Sequence, residues 1–143
     1  MERIYSPWRQ DYVSSTGPKP TGCVFCLAAD DENNRLVVHR AALNLVVMNL
    51  YPYNSGHVMV APRRHLADLS SATPEELAEM MLLARRLEAA MAEIYRPDGI
   101  NLGMNIGRPA GAGIADHIHL HVVPRWSGDT NFMTVVGDRK SVV

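Results

Sequence analysis

The stretch Asp116–Pro124, DHIHLHVVP, sets His117, His119 and His121 at strictly alternating positions, and the chain has six histidines in all. In an extended strand, residues i, i+2 and i+4 share a face, with roots about 6.6–6.8 Å apart. The three imidazoles then point one way, while Ile118, Leu120 and Val122 point the other way and can bury. The pattern is one core face and one chemical face. Three readings fit it. The first is a half-exposed strand that happens to use histidine. The second is a three-histidine metal site, although His117 and His121 sit too far apart to share one ion unaided. The third makes one imidazole a nucleophile, with neighbours that position it and bind an anionic substrate.

The preceding loop helps to choose. NIGRPAGAGIADH offers Gly107, Gly111 and Gly113, whose missing side chains let backbone N–H groups approach an anion closely. A glycine-rich loop running straight into aligned histidines describes a phosphate cradle beside an imidazole. A second constellation lies upstream. Cys23 and Cys26 form a single C-x-x-C, and in a reducing compartment such a pair suggests metal or redox chemistry before a structural disulfide.

These residues need elements to position them. Residues 36–39 and 43–48 read as short strands, and 57–62 as a third after the turn-rich NLYPYNSG. The clearest helix spans 74–95: Thr73-Pro74-Glu75-Glu76 supplies an N-cap, a proline at the first helical position and a capping-box glutamate. Leu77, Met80, Met81, Ala84, Leu87, Met91 and Ile94 follow at helical spacing and are read as its core face. Residues 100–105 read as a strand, 106–115 as the loop, 116–123 as the histidine strand and 130–136 as one more strand. Ser14–Cys23 is an irregular lead rich in Gly, Pro, Ser and Thr. Strands grouped around one long helix favour an α+β domain with an antiparallel sheet.

Composition narrows the function classes. A chain of 143 residues, 47% hydrophobic and 20% charged, suits one ordinary globular domain. Fourteen basic against fifteen acidic residues give a net charge of −1, so nothing suggests wrapping a nucleic-acid backbone. No run of eighteen apolar residues suggests a membrane span, and the N-terminus lacks the apolar core of a signal peptide. A cytoplasmic protein is the expectation.

HIHLHVV fits the His-φ-His-φ-His-φ-φ pattern (φ apolar) of the histidine triad (HIT) superfamily of nucleotide hydrolases and transferases. PWRQDYV, CVFC, MNLYPYNSGHVMVAPRRH, NIGRPAGAGIADH and VPRWSGDTNFM also occur in the order seen in a bacterial branch. The chain therefore resembles, over nearly its whole length, the branch that includes diadenosine tetraphosphate phosphorylases and hydrolases. The resemblance implies a single HIT domain over 1–143, with 1–22 as its irregular lead. It implies a HIT-like α+β fold, an antiparallel sheet of about five strands with one long helix and a shorter one.

It also implies roles. His119 would attack the α-phosphorus of a nucleotide and form a nucleotidyl-histidine. His121 would contact phosphate oxygens, as would Asn105, and Asn49 would contact the ribose unless it is only a turn asparagine. Gly111 and Gly113 would belong to the phosphate cradle. Cys23, Cys26, His65 and His117 would form a Cys₂His₂ site for structural zinc. His39 is left as a surface or packing histidine. The expected partners are a nucleotide or dinucleoside polyphosphate, with inorganic phosphate as a candidate acceptor and a second copy of the chain as a homodimer. Many relatives carry Ser or Thr in the loop where this chain has Gly113, so a more open cradle could admit phosphate. The chain also stops at Val143, where relatives often continue, and a segment that shapes substrate choice is expected to be missing. A phosphoramidate hydrolase, a nucleotide-binding module with little turnover and a dithiol redox protein are the competing expectations.

Overall fold

The structure is a computed structural model that describes residues 21–129. The expected strand at 130–136, and residues 1–20 of the expected lead, lie outside the described residues. The order is α1 (Val24–Asp30), β1 (Val37–Arg40), β2 (Asn44–Met48), β3 (Val58–Pro62), α2 (Pro74–Ile94), β4 (Gly99–Gly103) and β5 (Leu120–Arg125). A single 3₁₀ turn, Arg108–Ala110, interrupts the glycine-rich loop. The five strands form one sheet in the order β1-β2-β3-β5-β4, and every neighbouring pair is antiparallel. The expected α+β fold, with one long helix and a short one, is the observed one.

Strand alternation sorts the side chains onto two faces. Val46, Val58, Val60, Leu120 and Val122 pack against Met80, Leu83, Ala84 and Met91 of α2. Leu45, Val47, Met59 and Ala61 point to the opposite face, where they meet Phe25 of α1. The long helix thus covers one side of the sheet and leaves the other to the short helix and the histidines. Within α2, Met81 is exposed although it was expected in the core stripe. One residue on from Met80 it is rotated by about 100° from the buried direction. Leu83 takes that place, and Ile94 stays exposed in the last turn.

The start of α2 is tied on both sides. Glu76 N–H donates to Thr73 Oγ1 at 3.2 Å, and Thr73 N–H donates back to Glu76 Oε2 at 2.8 Å, completing the expected capping box. Arg64, just beyond β3, adds a bidentate pair to the same carboxylate at 3.0 and 2.9 Å. The helix is therefore pinned to the segment that carries His65. Arg64 first, and then the Thr73 N–H, hold the Glu76 carboxyl down at about 2 against an ordinary 4.5. A depressed carboxyl contributes stability that is complete above its unfolded value and is lost as pH falls through the folded one. Glu76→Gln should cost about 1–3 kcal/mol at neutral pH. Thermal melts across a pH series should show the gap to wild type closing between about 4.5 and about 2. A gap that stays constant over that window would contradict this account.

Candidate active site and metal cluster

The histidine segment is only partly a paired strand. Residues 116–123 were expected as strand, whereas β5 begins at Leu120 and runs to Arg125. The ladder to β3 covers Val58↔Val122, Met59↔His121 and Val60↔Leu120. Further back β3 ends in Pro62, which has no N–H to contribute. The chain stays tied by other means: Ile118 N–H donates to the Leu66 carbonyl at 2.7 Å, and His117 Nε2–H donates to the Pro62 carbonyl at 2.8 Å. Alternation survives the change. Ile118, Leu120 and Val122 are buried, and the His119 and His121 rings meet edge to face with centroids 4.8 Å apart.

Hydrogen bonds fix which nitrogen of each ring carries the proton. Pro62 accepts from His117 Nε2, so the lone pair of that ring sits on Nδ1. The carbonyl of His117 accepts from His119 Nδ1 at 2.9 Å, which leaves the lone pair of His119 on Nε2. Burial holds both imidazoles below their ordinary value, so both are neutral at pH 7. The third ring is set by a residue outside the triad. Tyr53 N–H donates to His57 Nδ1 at 3.1 Å, so the proton of His57 must be on Nε2. That nitrogen lies 2.8 Å from His121 Nδ1, which must accept and carry its own proton on Nε2. In one row the chain presents a ring with a bare nitrogen, His119, beside a ring that donates, His121.

His57 is fully buried, and its place comes from a tight loop. Asn49 N–H donates to the His57 carbonyl at 3.1 Å, and His57 N–H donates to the Asn54 carbonyl at 3.1 Å. Gly56 makes the turn at φ +80°, and a Cβ there would come within 3.0 Å of the Tyr95 ring. The Tyr53 ring stacks on His57 at 5.1 Å. Sequence reasoning missed the role of His57, although it stands next to β3, whose register brings Met59 opposite His121.

The remaining expected residues divide. Asn49 Oδ1 accepts from Tyr51 N–H at 2.9 Å, which is a turn role, while its Nδ2 lies 3.4 Å from His57 Nδ1. Asn105 Nδ2–H donates to the Gly111 carbonyl at 3.2 Å and so braces the loop. Gly111 is left-handed at φ +89°, and a Cβ there would stand 3.4 Å from that amide. Gly113 lies exposed on the same loop, and His39 is exposed on β1.

Cys23, Cys26, His65 and His117 come together, with one ligand atom from each lying within 4.8 Å of all the others. Cys23 caps α1 and Cys26 falls three residues on, so both thiols face one side of the first turn. Cys23 Sγ is 3.1 Å from His117 Nδ1, and Cys26 Sγ is 3.2 Å from His65 Nδ1 and 3.7 Å from His117 Nδ1. Ligand atoms in a tetrahedral zinc site stand about 3.3–3.8 Å apart, so the donor set fits that ion in number and type, and its atoms are gathered near that spacing. The Nε2–H of His117 on Pro62 is the outer bond that orients a ligating imidazole. Burial first, and then Cys23, push the Cys26 thiol up to about 11, a preference that a bound dication would reverse.

The HIT domain profile matches residues 30–128. The chain belongs to the HIT family. A relative called AP-4-A phosphorylase, from Mycobacterium tuberculosis, is 38% identical over an alignment of 152 positions, gaps included, that covers 99% of this chain and 77% of that protein. A second, called bis(5'-adenosyl)-triphosphatase, from Dictyostelium discoideum, is 34% identical over 83 residues, 58% of this chain and 55% of its own length. Among solved HIT structures, a Zn-bound histidine triad family protein from Mycobacterium smegmatis superposes with a TM-score of 0.69 at 34% identity, covering 77% of this chain and 80% of its own. Cys23 and Cys26 precede the matched domain, whereas His57, His65 and the triad lie within it.

The ring assignments are open to direct measurement. Long-range proton–nitrogen NMR of the histidine rings at neutral pH should show the proton on Nε2 of His57, His117 and His121 and on Nδ1 of His119. Finding His119 protonated on Nε2 would remove the geometry described here.

Proposed function

We propose that this chain is an enzyme that cleaves dinucleoside polyphosphates such as diadenosine tetraphosphate through a nucleotidyl-His119 intermediate. The observation that carries the reading is the bond from His119 Nδ1 to the His117 carbonyl, because it leaves Nε2 of a neutral ring unprotonated and able to attack. In the first step Nε2 would attack the α-phosphorus, forming the N–P bond as the P–O bond to the leaving nucleotide breaks. The ring then carries a positive charge, which the His117 carbonyl stabilises through Nδ1–H. His121 Nε2–H, held in that tautomer by His57, would donate to a phosphate oxygen as negative charge gathers there. Gly111 and Gly113 on the loop, with Asn105 bracing it, would complete the cradle, and Asn49 would meet the ribose. In the second step an oxygen of inorganic phosphate or of water attacks the same phosphorus, and the electron pair returns to Nε2.

Cys23, Cys26, His65 and His117 would hold one zinc ion. When bound, it supplies a closed four-ligand clamp between α1 and the histidine segment, with no open position for substrate. The reading includes a cytoplasmic homodimer. In support, no helix among the described residues is long and apolar enough to cross a membrane, and β4 lies at the sheet edge with Leu102 exposed.

Chromatography after incubation with diadenosine tetraphosphate, with and without phosphate, tests the reaction. ADP plus ATP appearing only with phosphate is the expected result. AMP plus ATP without phosphate would replace phosphorolysis by hydrolysis, and no turnover in either tube would sink the substrate. His119→Ala should lower kcat by roughly 10⁴-fold or more. Metal analysis should find one zinc per chain, lost on Cys26→Ser; a metal-free chain with reactive thiols would favour dithiol chemistry instead.

A further inference from the structure

Phe25 belongs to neither donor set, yet it touches both. It lies between the two cysteines in the first turn of α1 and is 1% exposed. Its ring centroid is 5.2 Å from that of His117 and 4.9 Å from that of His119. Behind it stand Leu45, Val47, Met59 and Ala61 of β2 and β3, so the ring cannot retreat into the sheet. With no polar atom it can move no proton and bind no metal. What it can do is decide where the His119 ring sits.

The nucleophile needs that help. The bond from Nδ1 to the His117 carbonyl fixes one atom of the ring, but a single hydrogen bond leaves the ring free to swing about its own axis. His121 bounds the swing on one side, with its ring at 73° and 4.8 Å. Phe25, tilted by 40°, is a second wall. Nucleophilic attack in line with a leaving group tolerates little misplacement, and an error of about 1 Å can cost roughly a hundredfold in rate.

That wall is not anchored by its own helix. At seven residues α1 is too short to be stable alone, and its cap, Cys23, makes no side-chain hydrogen bond to the first turn. Its far end is held by Arg40 of β1, whose guanidinium donates to the Ala29 and Asp31 carbonyls, whereas the first turn is held by the burial of Phe25 and Ala28 and by the two thiols on either side of Phe25. Those thiols meet His65, beyond β3, and His117, beside the nucleophile. Drawing the four ligands onto one ion would fix the Phe25 backbone relative to His119.

We propose that Phe25 is a positioning residue for His119, and that through it the alignment of the nucleophile depends on whether the Cys/His cluster holds its metal. This rests on the reading of His119 as nucleophile and of the cluster as a zinc site. The cluster is then a lever on turnover as well as a clamp on the fold.

The test combines metal removal with replacement of the ring in the full-length, zinc-loaded chain. Phe25→Ala should keep one zinc per chain and lose kcat about ten- to a hundredfold, with KM changed less than about twofold. Phe25→Met, which refills the volume, should recover most of the loss. A chelator should lower wild-type kcat by a similar factor and lower that of Phe25→Ala little further. Wild-type kcat in zinc-loaded Phe25→Ala would overturn the proposal, as would an equal chelator effect in both proteins. If Phe25→Ala does not fold or sheds its zinc, Phe25→Val, which keeps the position apolar but leaves the wall short, takes its place in the same comparison with wild type. NMR of the His119 ring gives a readout independent of any substrate. Its signals should move in the wild type and in Phe25→Met when zinc is removed, and move much less in Phe25→Ala. Signals that stay in place on chelation would overturn the proposal even if the enzyme proved to act on a different nucleotide.

Discussion

The hydrogen bond from His119 Nδ1 to the carbonyl two residues earlier is the interaction on which the site depends. It demands an extended segment, because the ring of one residue must reach back along the same edge of the chain to its neighbour's carbonyl. It also makes His117 serve in three directions. Its carbonyl holds the His119 ring, its Nε2–H holds Pro62, and its Nδ1 joins the thiols. The early end of the β3–β5 ladder follows from this arrangement. A ring rather than a backbone N–H takes the Pro62 carbonyl, and residues 117–119 are thereby tied by side chains where the sheet leaves off.

The sheet works as a partition. On one side, α2 and five strand residues make the larger apolar cluster, which needs no polar group. On the other, His57, His117 and His119 are buried with their ring nitrogens engaged by Tyr53, Pro62 and His117. Burying imidazoles is tolerable only because they are neutral and hydrogen-bonded. Neutrality is also what a nucleophilic ring nitrogen requires, so in the proposed reaction the same burial would serve stability and reactivity.

Much of this was legible in the sequence. Alternating histidines, the C-x-x-C pair and the Thr73–Glu76 capping box are local patterns, and each reports its geometry through spacing alone. His57 and Phe25 were not legible as site residues, because their roles come from non-local pairing. His57 meets His121 through the β3–β5 register, 64 positions apart, and Phe25 reads as an ordinary core aromatic until α1 is laid over the sheet. The strand expected at 116–123 failed at its start for a similar reason. Alternation marks an extended chain, whereas a paired strand also needs a partner with N–H groups to offer, and Pro62 has none.

The distance along the chain between the cluster's members has a consequence during synthesis. Cys23 and His117 meet across 94 positions, and His65 is 39 positions from Cys26. At roughly 5–20 residues per second, a ribosome takes on the order of 5–20 s to get from the first thiol to the last imidazole. Throughout that interval the nascent chain carries two neighbouring thiols without the partner that completes their site, and a C-x-x-C pair can close on itself by oxidation. Reducing conditions around the ribosome therefore bear on whether the finished chain can ever assemble its cluster.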